Sequence, residues 1–204
     1  MSNQEIKDKL NKIKQSFRLM MNGPASQSMR EKGVSYKLNW GVSFADLKDM
    51  AQEYGKDRLL AVELWKQNIR ECQILACLIM PAEEFPQEMA EIWMEQVQTP
   101  EIANMLAFNL LQDTDYAPEL AFRWLASDKP LYELCAYTLL GRLFQRGMAP
   151  NERGINELLD QATVAMRGDN VMVKHAACNC LNKFGELDEE YRQLALKVME
   201  HAHE

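Results

Sequence analysis

The feature that most constrains the fold is a run of short amphipathic stretches, each cut off by proline or glycine. Gly55, Pro81, Pro86, Pro100, Pro118, Pro130, Gly147, Pro150, Gly168 and Gly185 divide the chain beyond residue 43 into pieces of helical length. Apolar residues within the pieces recur at spacings of three and four, the period of one helix face. Proline cannot pass through a helix interior and glycine frees the cap, so each marks a boundary. The pattern predicts helices at 43–54, 56–67, 69–80, 86–98, 100–112, 117–127, 130–146, 151–167, 170–184 and 188–202. No alternating strand of useful length competes, and the expected class is all-α.

The first sixty residues follow the same logic less regularly. Ile6, Leu10, Ile13 and Phe17, continued by Met20 or Met21, form one stripe on a helix from Gln4 to Met21. Lys7, Lys9, Lys12, Lys14 and Arg18 lie elsewhere on it, the densest basic run in the chain. Asn22-Gly23-Pro24 ends it, with Gly23 expected to take the left-handed C-cap. A short helix from Ala25 to Lys32 closes at Gly33, and an irregular aromatic stretch with Tyr36, Leu38 and Trp40 ends at Gly41. Ser43 has the character of an N-cap.

Among 204 residues, 47% are apolar and 26% charged, which excludes disordered, collagenous and coiled-coil classes. No apolar run approaches the ~20 residues of a membrane span. The lysine-rich start lacks the apolar core of a secretory signal, and a cytoplasmic protein is expected. Cys72, Cys77, Cys135, Cys178 and Cys180 are odd in number and fall in apolar helical stretches, which suits free thiols in the core. The net charge of −7 is unevenly spread. Residues 1–60 hold 11 basic and 7 acidic groups, residues 61–150 hold 6 and 13, and residues 151–204 hold 6 and 10. An acidic total disfavours an obligate nucleic-acid binder but allows a basic face on an acidic body.

A weak repeat runs through the helices. Ala61-Val62-Glu63-Leu64-Trp65, Ala90-Glu91-Ile92-Trp93 and Ala121-Phe122-Arg123-Trp124 place three tryptophans 28 and 31 residues apart. After each, the next helix carries an acid in its first turn: Glu71, Glu101 and Glu133. A helix pair stacked on copies of itself is an α-solenoid, so one domain over residues 1–204 is expected. The tryptophans are read as packing between helices, and Trp40 as the aromatic open to ligand contact.

Trp40-Gly41-Val42-Ser43, Leu47-Lys48-Asp49-Met50-Ala51, Leu60-Ala61-Val62-Glu63-Leu64-Trp65 and Ile69-Arg70-Glu71-Cys72-Gln73-Ile74-Leu75-Ala76 form an ordered set. It resembles the N-terminal half of the AlkD-type DNA alkylation repair proteins, with a looser match by helix order to about residue 185. The resemblance implies a HEAT-like helical-repeat fold with a concave face for double-stranded DNA. It also implies excision of cationic N3- and N7-alkylated purines, where a carboxylate stabilises an oxocarbenium-like sugar beside aromatic faces.

The family's catalytic elements do not carry over. Its Trp-x-x-x-Asp stretch falls on Pro100-Glu101-Ile102-Ala103-Asn104, and its Trp-x-Arg-Arg stretch on Leu131-Tyr132-Glu133-Leu134. Its Trp-x-Leu-Arg stretch falls on Asn179-Cys180-Leu181-Asn182. An amide at position 104 cannot supply the negative charge. Asp113, Asp115 and Glu101 are the carboxylates nearest the missing one, and read as turn and first-turn acids.

Of the basic residues in the repeat body, Arg70, Arg123, Arg142, Arg146, Lys174 and Lys183 could track phosphates if several shared a face. Trp40, Arg70, Arg123, Arg142 and Lys174 are the candidate nucleic-acid-binding residues. No metal site is expected: Cys180 points roughly 140° from His175 on one helix. His201 and His203 near the end suit only adventitious metal. No phosphate-binding loop or nucleophile–histidine pattern occurs, so no cofactor is expected. Three readings stay open: a non-catalytic nucleic-acid binder, a protein-interaction scaffold, and an active glycosylase with a substituted site. Oligomeric state is not legible.

Overall fold

A computed structural model describes residues 3–34 and 36–200. His201 and His203 lie outside the described residues. Among the described residues there are twelve α-helices, two short 3-10 turns and no strand. None of the helices is long and apolar enough to cross a membrane. The chain divides into two compact units, Met1–Pro86 and Gln87–Glu204.

The first unit holds α1 (Asn3–Leu19), α2 (Gly23–Glu31), α3 (Phe44–Tyr54), α4 (Arg58–Trp65) and α5 (Arg70–Ile79). α5 packs against both α3 and α4, and α1 against α4. The expected stripe on α1 is the buried one, Ile6, Leu10, Ile13 and Phe17. Ser43 caps α3 by accepting from the Asp46 N–H at 3.1 Å and donating to Asp46 Oδ2 at 2.7 Å. Gly23 corrects an expectation. It is the first residue of α2 and not a left-handed cap, because Asn22 Oδ1 accepts from the Ala25 N–H at 3.0 Å and makes Asn22 the N-cap.

The second unit holds α6 (Gln87–Gln96), α7 (Pro100–Asn109), α8 (Ala117–Leu125), α9 (Pro130–Gln145), α10 (Glu152–Arg167), α11 (Val171–Gly185) and α12 (Glu189–Glu200). α8 packs on α9 and α10 on α11, while α7, α9 and α11 lie side by side as a second layer closed by α12. The helix predicted over 100–112 ends at Asn109 and passes into a 3-10 turn at Leu111–Asp113. α9 is the core of the unit, with Leu134, Cys135, Ala136, Tyr137, Leu139, Leu140, Leu143 and Phe144 buried. α11 lies close to α9 at Gly141, where a Cβ would stand in ordinary contact with the Cys180 backbone at 3.8 Å. Phe144 meets Phe184 at 5.6 Å between centroids, and Phe184 stacks on Tyr191 at 4.6 Å, joining α9, α11 and α12.

The three tryptophans of the repeat are packing residues, with Trp65, Trp93 and Trp124 exposed by only 3%, 3% and 2%. Trp124 Nε1 donates to Glu91 Oε2 at 2.9 Å, which satisfies the indole N–H as its ring is buried. All five cysteines are free, and all but Cys178 are buried.

Candidate functional site

In the first unit, the loop from Leu38 to Val42 is fastened to the start of α5. Glu71 is fully buried, and its Oε1 accepts from the backbone N–H groups of Trp40, Gly41 and Val42 at 3.1, 3.0 and 3.3 Å. Arg70 Nη1 donates to Val42 O at 3.0 Å and pairs with Glu71 Oε1 at 3.2 Å. The loop reaches its place because Gly41 takes φ +71, with Asn22 O directly where a Cβ would stand. Trp40 is half-buried and packs on Phe17 at 5.6 Å.

Arg70 therefore does not serve as expected. Its guanidinium is 3% exposed and committed to a buried carboxylate and a carbonyl, leaving no open side for a phosphate. A buried charge without its partner would be costly, which is why Arg70 and Glu71 are buried as a pair. Sequence reading treated Glu71 as a first-turn acid and missed its role. Its partners lie about thirty residues away, and no local pattern announces them.

In the second unit, α7, α9, α11 and α12 line a groove of about 1190 Å³. Pro100, Asn104, Leu134, Asn179 and Asn182, all drawn from the stretches matched to the family's catalytic elements, line this one groove. Thr138 Oγ1 donates to Asn104 Oδ1 at 2.9 Å, across from α9 to α7. The lining includes neither aspartate nor tryptophan. Its carboxylate is Glu186, held by Lys183 Nζ at 2.9 Å.

The groove's cations are Arg142, Lys183 and Arg192. Arg142 lies over the Phe108 ring at 5.2 Å, and its Nε and Nη1 donate to Gln112 and Gln145 at 3.1 and 3.2 Å. Among the described residues it has no carboxylate partner, so its charge is oriented but not neutralised. Arg192 pairs with Glu189 at 2.7 Å on the exposed side of α12. Thr138, Gln145 and Arg192 were not singled out from the sequence, and His175 was weighed there only as a metal ligand. Thr138 lies 34 residues beyond Asn104, off the 31-residue spacing of the tryptophans, so no sequence pattern announces their pairing.

Of the other basic candidates, Lys183 shares the groove with Arg142, and Arg123, Lys174 and Arg146 do not. Arg123 is ion-paired with Glu91 at 2.7 Å, and Lys174 on α11 is half-buried outside the groove lining. Arg146 pairs with Asp113 at 2.8 Å and donates to Gln112 O at 2.7 Å, which makes both residues turn supports. Burial pushes the Cys72 thiol up to about 12 and drives those of Cys135 and Cys180 up further. Among the described residues no group of three or more His, Cys, Asp and Glu could hold a metal ion.

No curated protein sequence matches the chain significantly. One similar solved structure comes from proteins related to the HEAT-like repeat DNA glycosylases, with affinity for branched DNA structures. It is 17% identical, aligns with a TM-score of 0.82, and the match covers 92% of this chain and 80% of that one. The fold is thus that of the HEAT-like helical-repeat proteins. The family model described as DNA alkylation repair enzyme matches residues 13–204, and the chain belongs to that family.

Proposed function

We propose that the protein binds nucleic acid through the groove of its second unit and has given up base excision. The observation that carries this reading is the lining of the groove. Stretches matched to the catalytic elements supply Pro100, Asn104, Leu134, Asn179 and Asn182 there, and the Glu186 carboxylate is neutralised by Lys183. Such a lining offers no free anion to an oxocarbenium-like sugar and no indole face to a cationic base. It offers amides, a hydroxyl and the unneutralised Arg142, which suit phosphate oxygens and the edges of bases.

The similar structure's affinity for branched DNA supports the binding half of the reading and selects the substrates to try. The five free thiols support a reducing, cytoplasmic setting. The reading treats the family-matched length as one functional domain.

Incubation with DNA carrying 7-methylguanine is expected to release no base above a buffer control. Titration with duplex and four-way-junction DNA at two salt concentrations is expected to show affinity that falls with salt. Base release would restore the glycosylase reading. A second reading, a protein-interaction scaffold, is favoured by the exposed Phe108 and Leu196 on the same groove. Absent or salt-independent DNA binding would leave that one standing.

A further inference from the structure

We propose that one flank of α1 is a second phosphate-contacting surface, carried by Lys7, Lys14 and Arg18. The proposal rests on the nucleic-acid reading above but uses none of the groove residues. The inward face of α1 is fixed by Ile6, Leu10, Ile13 and Phe17. At 3.6 residues per turn, Lys7, Asn11, Lys14 and Arg18 fall within a sector of about 60° on one side of that face. No acidic residue shares the sector.

The opposite flank differs. Glu5 and Asp8 stand around Lys12, and Lys9 is engaged with Asp57 at 3.4 Å. Positive charge is diluted there and undiluted on the first flank. Lys7 and Arg18 are exposed, and neither has a carboxylate partner among the described residues. Lys14 is held by the neutral Gln67 side chain, which orients the ammonium and leaves its charge intact. Along the axis the three cations are spaced by about 10 and 6 Å, at 1.5 Å per residue. They form a rigid row, because four buried side chains anchor the helix beneath them.

Three kinds of anionic partner suit a basic row, and two fit poorly. A helix that lies on a membrane buries its own apolar face in lipid. Here that face is already occupied by the core. An acidic peptide gains affinity chiefly from apolar anchors seated in pockets. Within the sector the residue between Lys7 and Lys14 is the polar, exposed Asn11. A phosphate backbone needs only exposed, regularly spaced cations on a firm support, and counterion release supplies the affinity.

The test titrates fluorescent duplex DNA between 50 and 200 mM salt with the wild type, a Lys7→Gln/Lys14→Gln/Arg18→Gln variant and Lys12→Gln. Circular dichroism checks the fold of each. The triple variant is expected to lose at least about tenfold in affinity, and its log–log salt slope to fall by about 2 to 3. Lys12→Gln is expected to match the wild type. Should the triple variant misfold, Lys7→Gln/Arg18→Gln removes two side chains without carboxylate partners among the described residues and is expected to lower the slope by about 2. Wild-type DNA binding with an unchanged slope in the folded variants would overturn this inference alone. No binding by the wild type would overturn the parent reading as well. Binding to phosphatidylserine vesicles that the triple variant loses, with its DNA slope unchanged, would overturn the inference in favour of a membrane surface.

Discussion

Thr138 Oγ1 donates a 2.9 Å hydrogen bond to Asn104 Oδ1, so the oxygen at the position matched to a catalytic aspartate is already engaged within the protein. Restoring charge at that single position is not expected to restore a reaction centre. Pro100 and Leu134 still stand where the resemblance places tryptophan and arginine. Asn104→Asp is therefore expected to release no more 7-methylguanine from alkylated DNA than the wild type, measured as free base over time. Strong release would show that one amide alone separates this groove from an active site.

Arg142 and Arg123 make a matched pair for testing the groove. Arg142 has no carboxylate partner among the described residues, whereas Arg123 is held by Glu91 at 2.7 Å. Arg142→Ala is expected to weaken DNA binding several-fold and to reduce the salt slope by about 0.9, the value of one phosphate contact. Arg123→Ala is expected to leave the slope unchanged. Salt titrations of both variants check the difference.

The pairing of Arg70 with Glu71 is expected to govern stability. Glu71→Ala removes the carboxylate shared by the Arg70 guanidinium and three loop N–H groups, of which Gly41 keeps Asn39 Oδ1 and Arg70 keeps Val42 O as acceptors. The expected cost is about 3–5 kcal/mol, the usual penalty for breaking a buried pair. Glu71→Gln keeps one acceptor oxygen and is expected to cost less. Urea unfolding followed by circular dichroism ranks the two.

Gly41 and Gly33 separate backbone strain from collision. Both have positive φ, but a Cβ at Gly41 would lie 2.3 Å from Asn22 O, whereas nothing lies within 4 Å at Gly33. Gly33→Ala is expected to cost about 1–2 kcal/mol, the left-handed penalty alone. Gly41→Ala is expected to cost distinctly more, because the obstructing atom is backbone and the loop carrying Trp40 must shift. Thermal melts of the two variants decide it.

Thiol chemistry reports the burial. The thiolate is the reactive form, and burial holds Cys72 up near 12 and Cys135 and Cys180 higher still. At pH 8 these three stay protonated, and Cys77 is buried as well. An aromatic disulfide reagent is expected to titrate Cys178 quickly in the native protein and all five thiols in denaturant. Rapid reaction of more than one native thiol would contradict the packing around α5, α9 and α11.

Much of the architecture is legible along the chain. Helix limits come within a few residues of those observed, because helix period, caps and proline breaks act over four residues or fewer. The expected stripe on α1 is the buried one, and the three repeat tryptophans are packing residues. Asn22 is the instructive exception: two short-range rules competed there, and the side-chain cap won over the glycine cap. Pro100, Asn104, Leu134, Asn179 and Asn182, from the stretches matched to the family's catalytic elements, line one groove together.

The identity of the free cations was not legible. Arg70, Arg123 and Arg142 look alike as residues on amphipathic helices. Their fates diverge because one meets Glu71 and a distant loop, one meets Glu91 on α6, and one meets only neutral partners. A charge's availability depends on which groups the fold brings within a few ångströms. The deciding ones, Val42, Glu91 and Gln112, lie some thirty residues away, beyond the reach of any periodic pattern. The punctuated helices specify an all-α repeat; packing between repeats settles which side chains remain to meet a ligand.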